Sequence, residues 1–468
     1  MRYTVTYKED FEGIKITGFD VHPVSVDHDF GNGNTMVNEL SKLKTCDGKT
    51  SIDNDPSKYL SLTMKSNLGL PVVFSYEIEW VRSDLEWADR WDVYLIGAPD
   101  DELHYFSIVN SLMIVLFLTG ATSTIMIRTL RKDIAVYNEM DSLEEGAEES
   151  GWKLVHGDVF RPPSFSPMVL SVLVGNGAQI GTVFTGAMLS AVLKLLNPLQ
   201  KGQTLTAIVI LYVLCGSVAG YVSARLYKFF DAKNWKMNIF ATALGLPGAL
   251  VSVFILLNIF LSFVGAATAV SFFTIIKLFL LWACVSSPLV FIGAFVGLKS
   301  KSIEVPTKTN QIARVLPPAP WHTDAKYTIL MGGILPFGSV CIELAFIMSA
   351  LWLHQIYYVM GFLLVVIFIL AATCAQVSIV MCYLQLCAEN HRWWWMSFMN
   401  TASAGFYLFL YSLWFLSSRL DMVGFLPVLV YVTYMSMISI CFGLFCGAVG
   451  FLSSFWFVRT IYSAVKVD

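Results

Sequence analysis

Charge is scarce in this chain. Only 14% of its 468 residues are Asp, Glu, Lys or Arg, where soluble globular proteins carry about 25%. The 31 basic and 34 acidic side chains leave a formal net charge of −3, so no basic excess points to nucleic acid. Cysteine is nearly missing from the first hundred residues. Cys46 is alone there among nine in the chain, which excludes a disulfide within that segment. The other eight lie in or beside apolar runs, where Cys is usually a small packing residue. No Asn-x-Ser/Thr sequon occurs, and neither do His-Glu-x-x-His, Gly-x-x-x-x-Gly-Lys-Ser/Thr or Gly-x-Ser-x-Gly. No aspartate falls inside a long apolar run. Zinc-peptidase, P-loop, serine-hydrolase and intramembrane aspartyl-protease chemistry are therefore not expected, and no catalytic residue, metal or cofactor is assigned.

Apolar sequence is what abounds. Hydrophobic residues make up 56% of the chain, and the mean hydropathy is +0.63. They gather in nine long runs, at 105–127, 167–196, 206–227, 237–260, 270–298, 327–353, 357–386, 394–416 and 426–457. A helix of about 20 apolar residues spans the ~30 Å hydrocarbon core, where lipid cannot satisfy backbone polar groups. The expected fold is a polytopic α-helical membrane protein with nine transmembrane helices and an N-terminal β-rich luminal domain. Its parts are a luminal domain over 1–104, a first transmembrane helix over 105–127 and a cytosolic loop over 128–166. An eight-helix bundle over 167–457 and a cytosolic tail over 458–468 follow.

Orientation comes from the short loops. Seventeen Lys and Arg fall on one side, from Arg128 through Arg161, Lys233, Arg314 and Arg392 to Lys466, against Lys201 and Arg419 on the other. The bias puts the C-terminus in the cytosol and the N-terminal domain in the lumen. Residues 1–104 hold 19 acidic and ten basic side chains. There Tyr3–Tyr7, Ile14–Ile16 and Val72–Tyr76 alternate as strands, with Gly31–Asn34 and Asp53–Pro56 as turns. Met1-Arg2-Tyr3 runs straight into strand-like sequence with no leader, so a longer ectodomain is expected to precede it.

Several constellations carry functional alternatives. Lys277 and Glu343 are the ionisable residues set clearly inside apolar runs. At about 1.5 Å rise per residue their depths differ by only ~6 Å, so they are expected to pair or to line a polar cavity. Lys194, near a run's end, can snorkel. Gly177-x-x-x-Gly181 and Gly443-x-x-x-Gly447 are close-packing signatures, either inside the bundle or against a client helix. Pro247, Pro288 and Pro336 can kink or break their spans, and broken spans build sites in transporters. Trp393-Trp394-Trp395 after Arg392 reads as an interfacial anchor. His156 and Asp158 are too few for a metal site. Arg161-Pro162-Pro163 is expected to lock the turn into the second span, and Glu144, Glu145, Glu148 and Glu149 to form a solvated face.

The stretch Gly146 to Pro163, with Gly151, Trp152, His156, Gly157, Asp158, Arg161 and Pro162, resembles the signature loop of the nonaspanins, the transmembrane nine superfamily. The resemblance extends to Phe106–Ser111, Arg128–Arg131, Cys341–Leu344, Glu389–Trp395 and the tail Val465–Asp468, covering nearly everything from residue 72 onward. It implies a Golgi and endosomal protein that sorts other membrane proteins, including cargo with glycine-rich transmembrane segments, and no enzymatic activity. It also implies that the terminal Lys466-x-Asp468 binds the coatomer coat, a reading that suits a cation beside two exposed carboxylates. The alternative function is a transporter or channel using Lys277 and Glu343.

Overall fold

The computed structural model describes residues 1–10, 13–24, 76–84, much of 109–131, 151–193, 195, 201–231, 233–266, 268–317, 323–352, 360–420, 422 and 424–463. Contacts divide the chain into two compact units, Met1–Asp101 and Glu102–Asp468.

The first unit holds β1 (Arg2–Asp10), β2 (Gly13–His22) and β3 (Glu77–Arg82) in one sheet of order β2-β1-β3. β1 and β2 pair antiparallel with a bulge at Thr6/Tyr7, whereas β3 lies parallel to β1. Alternation places Val5 inward at 5% exposure. Arg2–Glu77 and Arg82–Glu9 ion pairs at 3.4 and 3.3 Å tie β3 to β1. β1 and β2 coincide with the expected Tyr3–Tyr7 and Ile14–Ile16 strands. Of the third expected strand only Tyr76 is described, immediately before β3. The Gly31–Asn34 and Asp53–Pro56 turns and Cys46 lie outside the described residues.

The second unit is helical. Its elements are α1 (Pro167–Val192), α2 (Lys201–Leu214), α3 (Gly216–Phe229), α4 (Trp235–Phe240), α5 (Leu246–Phe263), α6 (Phe272–Leu281) and α7 (Ser287–Lys299). α8 (Ala325–Trp352), α9 (Met360–Cys387), α10 (Trp393–Arg419) and α11 (Phe425–Ser463) complete it. Some are halves of one span. α2 and α3 meet at Cys215, while π-helical turns at Ala241–Gly245 and Trp282–Ser286 join α4 to α5 and α6 to α7. Pro247 and Pro288 follow those turns directly. A proline has no N–H and its ring collides with the carbonyl four residues back, so the helix opens to a wider turn there. Pro336, by contrast, is carried inside α8 without a break.

Seven helical stretches among the described residues are long and apolar enough to cross a bilayer. The fold class is as expected: a multi-pass, mostly helical membrane protein with a small N-terminal sheet. α10, at 27 residues, is about 40 Å long but less apolar. The reason is that one of its faces carries Asn400, Thr401 and Ser412, which the bundle keeps buried. The 105–127 run is helical where described, over Ser111–Thr124.

Small residues and buried amides fix the helix crossings. A Cβ at Gly177 would strike the Leu444 carbonyl, and one at Gly181 the Phe445 ring at 2.8 Å. A Cβ at Gly443 would come within 2.8 Å of the Ala402 carbonyl, and one at Gly447 within 2.8 Å of the Phe398 ring. Both anticipated glycine pairs are thus filled within the bundle, α1 on α11 and α11 on α10. Asn238 knits three helices, accepting from Ser171 Oγ at 2.9 Å and donating to Ser223 Oγ at 3.1 Å. Gln179 Nε2 donates to the Tyr212 carbonyl at 2.8 Å. In lipid such bonds substitute for the water a soluble core would recruit.

Candidate functional site

The 300–317 segment, the α9–α10 turn and the end of α11 meet the segment from Gly151 to Phe165 at one end of the bundle. Gly151 has φ +77°, which suits a residue without Cβ. A 3-10 turn over Gly151–Val155 then sends Trp152 and Val155 inward, at 2% and 0% exposure. His156 Nδ1 lies 2.9 Å from the Lys153 carbonyl, which it donates to. Gly157 leaves no room for a Cβ because the Asn310 side chain rests on it, and the Asn310 N–H donates to its carbonyl at 2.8 Å. Thr307 Oγ1 donates to the His156 carbonyl at 3.0 Å. The 300–317 segment is thereby strapped across the signature loop.

Asp158 holds the strap. Its carboxylate is buried and accepts from Arg161 Nε and Nη2 at 2.9 and 2.6 Å and from the Arg314 N–H at 3.2 Å. Arg161 Nη2 also donates to the Asn310 carbonyl at 2.7 Å. An Arg314–Glu389 ion pair at 3.1 Å ties the same strap to the α9–α10 turn. Asp158 is therefore an anchor for arginine and backbone. Pro162 and Pro163 lead to Ser166, at φ 38°, and to Pro167 in the first turn of α1.

Two of the three tryptophans, Trp393 and Trp394, act differently from expectation, while Trp395 is half-buried at the edge. The Trp393 indole N–H donates to the Val159 carbonyl at 2.9 Å, Trp394 to Arg161 at 2.8 Å and Trp395 to Phe165 at 2.7 Å. Trp393 and Trp394 are 0% and 2% exposed and stack with ring centroids 4.0 Å apart. They form the core under the signature loop, not an anchor in the membrane interface. An indole suits this place because it brings apolar area together with one donor for a buried carbonyl. Tyr462 Oη adds a fourth such bond, to Trp152 O at 2.6 Å.

The intramembrane charges are not brought together. Glu343 is 1% exposed in α8, while Lys277 lies exposed on α6, and no ion pair joins the two side chains. The expected pair is corrected accordingly: α6 stands at the outside of the bundle, and its lysine stem faces outward. Lys194, Lys466, Asp468 and the Glu144–Glu149 run lie outside the described residues.

Two cavities among the described residues bear on function. One, of about 540 Å³, is an open groove between α1, α10 and α11, lined by Ala402, Gly405, Ser436, Ser439 and Gly443 with apolar neighbours. Phe406 and Ile440 at its rim are 52% and 48% exposed. Ser439 is 5% exposed, and its Oγ has no hydrogen-bond partner. The other, of about 400 Å³, lies beside the tryptophans and is lined by Arg161, Phe165, Gln385, His391, Arg392 and Trp395 among others. Burial holds the His391 imidazole below its ordinary value near 6.5, with Asp158 pulling it up and Arg392 and Arg161 pushing it down.

Sequence reasoning missed Asn310 and Tyr462, and it gave Arg314 and His391 no part beside the signature loop, from which all four lie far in the chain. It also passed over Gly216-x-x-x-Gly220 and Gly293-x-x-x-Gly297, whose spacing matches the pairs it did single out. Cβ atoms at Gly220 and Gly293 would strike the Val290 and Ser217 carbonyls, so α3 and α7 cross backbone to backbone.

Comparison with known proteins agrees with this architecture. Residues 1–425 match the family model described as Endomembrane protein 70. Transmembrane 9 superfamily member 10 of Arabidopsis thaliana is 43% identical over 472 residues, covering all of this chain and 72% of that protein. Member 2 of Homo sapiens is 43% identical over 410 residues, 87% of this chain and 62% of its own length. Member 4 of Rattus norvegicus is 40% identical over 456 residues, 97% of this chain and 68% of its own. No solved structure matches. The end-to-end similarity, on a multi-pass helical bundle closed by the signature loop, places this chain in the endomembrane protein 70 family, the transmembrane 9 superfamily.

Proposed function

We propose that the protein is a non-enzymatic sorting factor that guides other membrane proteins through Golgi and endosomal membranes. In this reading its N-terminus is luminal, its C-terminus cytosolic, and Lys466 and Asp468 recycle it through coatomer. One observation supports the cargo role above others: the groove between α10 and α11. Its lining includes Ala402, Gly405, Ser439 and Gly443; the two glycines pack α10 on α11, and the scarcity of large side chains beside that crossing would let a second helix approach. The buried Ser439 hydroxyl without a partner would meet a polar atom on that helix. A client segment rich in glycine offers the complementary shape, because packing and short hydrogen bonds, not apolar burial, drive helix association in lipid. Transport by a Lys277–Glu343 site lacks comparable support, since those side chains do not pair.

The experiment is rescue of cells lacking the protein, with a glycine-rich transmembrane reporter and a leucine-only reporter compared at the cell surface. Ser436→Leu fills the groove from a position that takes no part in the glycine crossings. It is expected to abolish rescue of the glycine-rich reporter alone. Equal rescue by Ser436→Leu and wild type would sink the groove reading. Lys466→Ser with Asp468→Ser is expected to release the protein from the Golgi and from coatomer in a pull-down.

A further inference from the structure

Two long helices begin at the 400 Å³ cavity. Ala325 opens α8, and Trp394, Trp395 and Met396 are the first turn of α10; all four line it. The first amides of a helix have no partners within it and together carry about half a positive charge. α10 has no side-chain cap, and its N-cap position is itself a cation, Arg392. Such an end attracts anions.

The surrounding charges reinforce that preference. Arg161 and Arg392 line the cavity, and among the described residues no carboxylate does. The nearby Asp158 and Glu389 are already held by Arg161 and Arg314, and Asp324 precedes α8 outside the lining. Among the described residues the Arg392 guanidinium makes no hydrogen bond or ion pair. An independent sign comes from His391. It lines the cavity at 7% exposure, yet its Nδ1 has no hydrogen-bond partner, an uncommon condition for a buried polar atom. Gln385 and Asn390 add amide groups.

The rest of the wall is aromatic or proline. Phe165 is 70% exposed, and Trp395 bonds to its carbonyl. Aromatic rings beside arginine at the end of bilayer-crossing helices mark the headgroup layer, where a negative leaflet attracts cations.

We propose that this cavity binds the phosphate-bearing headgroup of an anionic phospholipid. The phosphate sits on Arg392 and the first amides of α10, and the polar headgroup reaches Gln385, Asn390 and His391. The acyl chains leave past Phe165 and Trp395. Occupancy would couple the leaflet's composition to the signature loop, because Arg161 belongs to both.

The test uses the full chain purified in detergent. Short-chain phosphatidylinositol phosphate, phosphatidylserine and phosphatidylcholine are titrated while tryptophan fluorescence is followed. Free inositol phosphate and inorganic phosphate form separate arms. An anionic lipid is expected to bind about tenfold or more tightly than phosphatidylcholine. Arg392→Gln is expected to remove that preference, and His391→Gln to weaken it, while Lys236→Gln leaves it intact. Three results would overturn the proposal: equal binding of all lipids, equal losses in Arg392→Gln and Lys236→Gln, or free phosphates binding as tightly as the lipid. The last would make this a site for a soluble anion.

Discussion

The indole N–H of Trp393 donates a 2.9 Å hydrogen bond to the carbonyl of Val159, 234 residues earlier in the chain. Neither group is accessible to water, since both residues are 0% exposed. This bond and its two neighbours close the loop end of the bundle.

Removing one indole donor leaves a buried carbonyl unmet, which costs about 1–3 kcal/mol. Trp393→Phe is therefore expected to lower the unfolding temperature in detergent by several degrees. Trp395→Phe, whose partner Phe165 is exposed, should do so by less. Equal shifts would mean that the buried bond carries no special weight.

Asp158→Asn should destabilise far more than Glu389→Gln. Asp158 holds a buried carboxylate against Arg161 and the Arg314 backbone, and breaking such a pair costs about 3 kcal/mol or more. Glu389 and Arg314 are 26% and 38% exposed at the side chain, so their pair is worth about 1 kcal/mol or less. Denaturation in mixed detergent micelles, followed by circular dichroism, ranks the two.

The glycine contacts predict opposite signs at two sites. Gly293→Ala forces α3 and α7 apart and should cost about 1–3 kcal/mol. Gly186→Ala places its methyl 3.8 Å from Leu211, in ordinary contact, and gains helix propensity of about 0.5–1 kcal/mol. Thermal aggregation of the detergent-purified variants should show one destabilised and one stabilised.

His391 carries a pH signature. Its folded-state pKa lies below the ordinary value near 6.5, so the unfolded chain takes up a proton first as pH falls. The stability that the neutral, buried ring contributes is full above about pH 6.5. It is lost as pH drops below that value, until the folded-state pKa is reached. The unfolding temperature of wild type minus that of His391→Gln should accordingly shrink between pH 7 and pH 5.5. A constant difference would contradict the burial of the ring.

Lys277 and Glu343 supply a double-mutant cycle. Because they form no ion pair, Lys277→Met and Glu343→Gln should be additive in stability within about 0.5 kcal/mol. A larger coupling would restore the pair.

Much of this protein was legible from its sequence. Apolar runs longer than a bilayer requires admit little besides spanning helices, because lipid offers no hydrogen bonds to an open backbone. The β1 and β2 strands follow from period-two alternation, and the prolines that open the π turns stand in plain view. The glycine pairs announced close approach, although not which helix would approach.

Tertiary structure alone decided the partners. Trp393 and Trp394 look like interfacial anchors by position, and only the arrival of Val159 and Arg161 carbonyls made them core. Depth along two helices suggested that Lys277 and Glu343 meet, but depth does not fix the rotation of a helix about its axis. That rotation turned one side chain outward and the other inward. The cavity at His391 has no local signature, since its wall is drawn from four segments of the chain. Sequence periodicity reports which face of a helix is apolar; which face meets which is a property of the packed bundle.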